Sequence, residues 1–239
     1  MAKKISVLSH RKDVFVLHNS VDANVFDVAR FEKAEAHKLR CALGIAEDEL
    51  VLGFSGELRE KKGLAFLLES LTAVRKQIPA CLLVIGEVRL SQKTAIQLYE
   101  SEFPDDAARL LVTGHTSAPD MVARHLQICD IYLQPSLFEG MPNALLEAMA
   151  CQRLCIASDA GGIPEIIRHG ENGFMLKRAL LNHLSSAIME AVELDVQQKE
   201  EIGKNARKTV MKSFSGEHER ESLIQLLSWK TEQSVVTIN

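Results

Sequence analysis

The sequence predicts an α/β fold, a doubly wound, Rossmann-like parallel sheet with helices on both faces, and two observations carry that expectation. Short uninterrupted apolar runs rich in Val, Ile and Leu recur along the chain, as strands covered on both faces require. Segments with helical spacing fill the intervals, and regular βα alternation implies parallel strands joined by crossover helices. At 239 residues the chain is large for one domain and small for two. Its composition, 46% hydrophobic and 25% charged, suits a globular protein with one sizeable core.

Strands are expected, in order, at VFVL (14–17), ELVLGF (49–54), ACLLVIG (80–86), LLVTG (110–114), DIYLQP (130–135) and LCIAS (154–158). Helical spacing covers 31–43, 64–77, 91–103, 119–128 and 142–151, and three further helices, 180–194, 197–213 and 217–229, follow Gly173. Gly44 is placed to close the first helix, Ser117 to cap the fourth and Pro142 to start the fifth. Residues 231–239, TEQSVVTIN, read as a loose tail.

The net charge of -4 leaves no broad basic surface, so no nucleic acid partner is expected. The N-terminal lysines are followed by no continuous apolar stretch, and no run is long enough to span a membrane, which suggests a cytoplasmic address. Five cysteines (Cys41, Cys81, Cys129, Cys151, Cys155) show no zinc-type pairing and sit mostly among aliphatic residues, where a reduced thiol packs as a small hydrophobe.

In a sheet wound this way, ligands bind beyond the carboxyl ends of the strands. Three loops fall there. The first, GELREKKG (56–63), carries Arg59, Lys61 and Lys62 just before a helix and is bounded by glycines that let a ligand approach the backbone; cations at a helix start suit an anion. Taken alone, it could equally be a solvated charged loop. The second places His115 and Thr116 after Gly114, as ligand groups or as ordinary turn residues. In the third, the helix ALLEAMAC (144–151) is apolar nearly all round except for Glu147, whose carboxylate needs a wet cavity or hydroxyl donors. Glu139 stands just before that helix, near its positive end. Either glutamate alone could be a cap or a solvent-facing residue; together, after one strand end, they suggest a site.

These segments resemble a known family. EGMPNALLE (139–147) is similar to the E-x7-E motif of retaining GT-B glycosyltransferases of family 4, also called the glycosyl transferases group 1 domain. HNSVDANVF (18–26) resembles N-G-V-D-x-x-x-F, LVLGFSGELREKKGL (50–64) resembles the family's strand and G-R-L-x-x-x-K-G loop, and ICDIYLQPSLFEG (128–140) resembles A-D-V-F-V-L-P-S-x-x-E-G. MACQRLCIASDAGGIPEIIRHGENGFML (149–176) resembles M-A-C-G-x-P-V-V-A-S-x-x-G-G-x-P-E-x-I-x-x-G-x-N-G-x-L, and the order is kept over about 14–214.

The resemblance implies the C-terminal, donor-binding half of a two-domain enzyme that takes a nucleotide sugar and needs no metal cofactor; the chain contains no Asp-x-Asp. Carried over by position, Glu147 would accept the ribose hydroxyls and Glu139 the hydroxyls of the donor sugar, while Gly56 and the stretch Gly140, Met141, Pro142 and Asn143 would face sugar and diphosphate. Lys62 would hold the diphosphate. Glu57 stands where the family has arginine, so Arg59 is expected to take over, with Glu57 turned outward or bracing Arg59 or Lys61. His115 lies near the position of the family's base. Glu165 is expected to cap or brace a short helix, and His18 and Asn19 to be structural. Gln152 and Leu154 replace a glycine and a proline in the turn after the helix.

The same resemblance divides the chain into a crossover from an N-terminal acceptor half (1–27), the nucleotide-sugar domain (28–230) and the tail. That acceptor half, or a partner chain, is expected to complete the enzyme and to supply any membrane association. Leu223, Leu226, Leu227 and Trp229 would then be left exposed and could drive self-association. The rival readings are a non-catalytic nucleotide-sugar-binding subunit or a fragment inactive alone, and an epimerase of the same fold.

Overall fold

The computed structural model describes residues 16–116 and 118–235, with side chains through residue 228. A single six-stranded sheet, wholly parallel, runs in the order β3-β2-β1-β4-β5-β6. Its strands are β1 (Leu50–Ser55), β2 (Ala80–Ile85), β3 (Leu110–Val112), β4 (Ile131–Gln134), β5 (Leu154–Ser158) and β6 (Phe174–Leu176). The helices are α1 (Lys33–Ala42), α2 (Leu64–Arg75), α3 (Lys93–Glu102), α4 (Pro119–Gln127), α5 (Asn143–Ala150), α6 (Leu184–Glu193), α7 (Val196–Ser213) and α8 (Gly216–Val235). Four-residue turns of helix at Pro104–Ala107 and Ile163–Ile166 complete the connections.

The strands divide two cores by simple alternation. Cys81, Leu83 and Ile85 of β2, with Tyr132 of β4 and Cys155 of β5, join the core under α4, α5 and α7. Ala80, Leu82 and Val84, with Ile131, Leu133, Leu154 and Ile156, join the core under α2, α3 and α6. Successive side chains of a strand point to opposite faces, so strands apolar at every position must be covered on both.

Strand β6 was not expected. Three half-buried residues between Gly173 and Lys177 carry too little apolar signal to stand out, yet they pair with Ile156 to Ser158 of β5. Conversely, Val16 and Leu17 of VFVL lie in no strand, and residues 14 and 15 fall outside the described residues, as does Ser117. An apolar run becomes a strand only where a neighbour is free to pair with it. The expected helix at 180–194 opens as a 3₁₀ turn, Arg178–His183, before α6. Helix α8 continues past residue 229 into the segment expected as a loose tail; nothing in 230–235 is a proline or glycine to stop it.

Two helix ends share one device. After α1, Gly44 (φ 65°) donates to Cys41 O and Ile45 to Arg40 O, the paired bonds of a Schellman motif. After α5, Gln152 (φ 56°) donates to Met149 O and Arg153 to Ala148 O in the same arrangement, although Gln152 has a side chain to accommodate. Helix α7 packs against that turn through Gly203, where a Cβ would lie 2.5 Å from Gln152 O. Arg207 of α7 donates to Ala150 O at the end of α5 and to Phe26 O and Asp27 at the other end of its reach, tying residues 23–27 to the back of the site helix.

Among the described residues no helix is long and apolar enough to cross a membrane. On α8, Leu223 and Leu227 are exposed, together with Ile224, whereas Leu226 is half-buried; the side chain of Trp229 falls outside those described.

Candidate active site

The winding of the sheet reverses between β1 and β4, and the loops after these two strands meet beyond their carboxyl ends, where such sheets form a crevice. Contacts that only glycine permits hold the loops together. Gly63 (φ 85°) closes the 3₁₀ turn Glu60–Lys62 and lies so close to the β4 loop that a Cβ would come within 2.2 Å of Pro135 O. Leu137 N donates to Lys61 O at 2.9 Å. From the other side, a Cβ on Gly161 would stand 2.0 Å from Glu139 O.

Lys62 is thereby delivered onto Glu139, with Nζ 2.6 Å from Oε1. The same oxygen accepts from Ser136 Oγ at 2.7 Å and from Gln134 Nε2 at 2.9 Å. Beyond Glu139 the chain passes Gly140, Met141 and Pro142 into α5, whose start has no side-chain cap, leaving its first N–H groups available to an anion. Asn19 braces this stretch, donating to Met141 O at 3.0 Å and to Asn143 Oδ1 at 2.9 Å. A side chain at Gly56 or Gly140 would meet open space, so both backbones are approachable.

Glu147 sits one turn into α5. Burial alone pushes its carboxyl up from 4.5 to about 7, and among the described residues no charge or hydrogen bond offsets that cost. The phenol of Tyr132 lies within the field of both glutamates: burial first, then Glu147 and more weakly Glu139, hold it well above its ordinary range. Tyr132 thus lies near both glutamates, and Lys62 is paired with one of them.

Arg59 lies beside this cluster but not in it. Glu57 Oε2 is 3.3 Å from Arg59, and its other oxygen is 3.4 Å from Arg89 of the loop after β2. The β1 and β2 loops run together here, Leu58 N donating to Glu87 O and Arg89 N to Leu58 O. Glu57 thus faces two arginines. Arg59 Nε is buried with no hydrogen-bond partner among the described residues. His115 follows β3, the outermost strand on its side, is exposed, and makes no hydrogen bond to this cluster among the described residues. His18 pairs with Glu165 at 3.1 Å and packs on Phe214, which ties residues 18–21 to the start of α8.

The sequence reading missed Gln134, Ser136 and Tyr132, which line the floor beneath Glu139, and Arg89. The signal for the first group was present: a glutamine and a tyrosine in a run, DIYLQP, otherwise built for a dry strand. A groove of about 590 Å³ between α2 and α3, lined by Leu68, Thr72, Leu98 and Tyr99, contains none of these groups.

The chain is similar in sequence and in fold to known proteins. N-acetyl-alpha-D-glucosaminyl L-malate synthase of Bacillus anthracis is 29% identical over 208 residues, 86% of this chain and 51% of that protein. Anabaena Alr3699/HepE, solved in complex with UDP, superposes with a TM-score of 0.81 at 23% identity, over 95% of this chain and 61% of the other. The C-terminal domain of the group 1 glycosyl transferase LpcC from Francisella tularensis superposes at 0.70 and 22% identity, over 82% of this chain and 99% of that one. The chain spans about half the length of the curated relatives it matches. The fold is that of GT-B glycosyltransferases. Residues 35–209 match the family model described as Glycosyl transferases group 1, and the chain belongs to that family.

Proposed function

We propose that the chain is the donor-binding, C-terminal half of a retaining, metal-independent family 4 glycosyltransferase, completed by an N-terminal half that holds the acceptor. The observation that carries this reading is the meeting of Lys62 and Glu139 across the two switch-point loops, 2.6 Å apart, with the half-buried carboxyl of Glu147 on the helix that follows accepting no hydrogen bond among the described residues. A nucleotide sugar supplies what each group lacks. Its ribose hydroxyls would donate to Glu147, its sugar hydroxyls to Glu139, and its diphosphate would meet Lys62 and the uncapped start of α5.

Lys62 would then bridge Glu139 and the diphosphate, and its charge would stabilise the nucleotide diphosphate that leaves as the glycosidic bond breaks. Arg59 adds a second cation. Glu57, in the place of the family arginine, favours a second reading, a non-catalytic nucleotide-sugar-binding subunit. Its pairing with both Arg59 and Arg89 weakens that argument, since two guanidinium groups outweigh one carboxylate.

A panel of UDP, GDP and ADP sugars, each with and without EDTA, tests the proposal by thermal stabilisation. At about 100 times its dissociation constant a true donor adds roughly 2.7 kcal/mol, and EDTA leaves the gain unchanged. No stabilisation by any donor would refute the reading. Turnover on supplying the N-terminal half in trans separates enzyme from binding subunit.

A further inference from the structure

We infer that Gln134, fixed by Tyr132, is a positioning residue that holds the Glu139 carboxylate by one oxygen and leaves the other turned to the donor sugar. The inference rests on the reading of Glu139 as the acceptor for sugar hydroxyls and adds how that carboxylate is aimed. Tyr132 and Gln134 lie two apart on β4 and so share a face; they are 0% and 1% exposed. In the motif that this strand resembles, phenylalanine and leucine occupy the two positions. Polar atoms buried at apolar positions are costly unless each finds a partner.

Here each does. Tyr132 Oη donates to Gln134 Oε1 at 2.8 Å, which decides which end of the amide is oxygen. The opposite orientation would set an amide oxygen against a carboxylate. Gln134 Nε2 is thereby committed to Ser136 Oγ and Glu139 Oε1, each at 2.9 Å. With Ser136 and Lys62, three donors converge on Oε1, and among the described residues none reaches Oε2. The tyrosine hydroxyl thus orients the amide, the amide orients the carboxylate, and Oε2 is left without a partner among the described residues.

A group that acts only through Glu139 should affect the sugar and spare the nucleotide. The test is calorimetry with UDP and UDP-glucose, or the GDP or ADP pair if the panel selects it, on the wild type, Gln134→Leu, Glu139→Gln and the double variant. Gln134→Leu is expected to weaken the nucleotide sugar by about tenfold and the nucleotide diphosphate by less than about twofold, as loss of one hydrogen bond to a charged group implies. The double variant should bind no worse than Glu139→Gln alone, because the two changes remove one interaction. Tyr132→Phe, which removes a single hydroxyl, should move the same ratio in the same direction and carries the comparison if Gln134→Leu does not fold. Equal losses for both ligands, or losses that multiply in the double variant, would overturn the positioning role. A Glu139→Gln variant that binds both ligands like the wild type, or no binding by any pair, would overturn the underlying reading of the site instead.

Discussion

Glu147 offers a test that needs no ligand. Its carboxyl ionises near 4.5 in an unfolded chain and at about 7 in the fold, because burial disfavours the charge. Between these values the native state holds a proton that the unfolded state has released, so stability falls as pH rises through the window and the full cost is present above it. At about 1.4 kcal/mol per pH unit the loss is about 3 kcal/mol. Glu147→Gln cannot release that proton. Urea unfolding of both proteins at pH 5 and pH 8 should show the wild type losing about 2 to 3 kcal/mol more than the variant over that interval. Equal pH dependence would refute the reasoning. The cause would then have to be a Glu147 that reaches water freely. The same linkage gives a second sign: a ligand that donates hydroxyls to the carboxylate favours the ionised form, so donor affinity should rise with pH between 6 and 8.

Three further predictions concern the frame around the site. Gln152→Gly relieves a left-handed residue with a Cβ (φ 56°) at the end of α5 and should stabilise the chain by about 1 kcal/mol, raising Tm by roughly 2–4 °C; an unchanged or lower melting temperature would mean the turn carries no strain. Gly161→Ala places a Cβ 2.0 Å from Glu139 O, so the loop must move; a destabilisation of at least about 2 kcal/mol and weakened donor binding are expected, and a neutral result would show the contact to be soft. Lys62→Ala and Arg59→Ala should both weaken nucleotide diphosphate, Lys62→Ala the more. If Arg59→Ala binds like the wild type while Lys62→Ala does not bind, Arg59 is no substitute for the family arginine.

Much of this was legible in the sequence for one physical reason. Strands β1, β2, β4 and β5 are buried on both faces, so they appear as unbroken apolar runs, and the two glutamates stood out because the helix between them is greasy. Where the signal depends on a partner it faded. Strand β6 is three residues that exist only by pairing with β5. VFVL has the composition of a strand, but its described half has no neighbour in the sheet. Arg89 reaches Glu57 because two loops run side by side, a tertiary fact with no trace in residue spacing.

The central claim is that Glu139, Glu147 and Lys62 share one nucleotide-sugar site. Calorimetric titration of the stabilising nucleotide sugar into wild type and Glu147→Ala tests it most directly. Binding weaker by about 1–3 kcal/mol is expected in the variant, the scale of hydrogen bonds to a charged group. An unchanged dissociation constant in a variant that remains folded would contradict it.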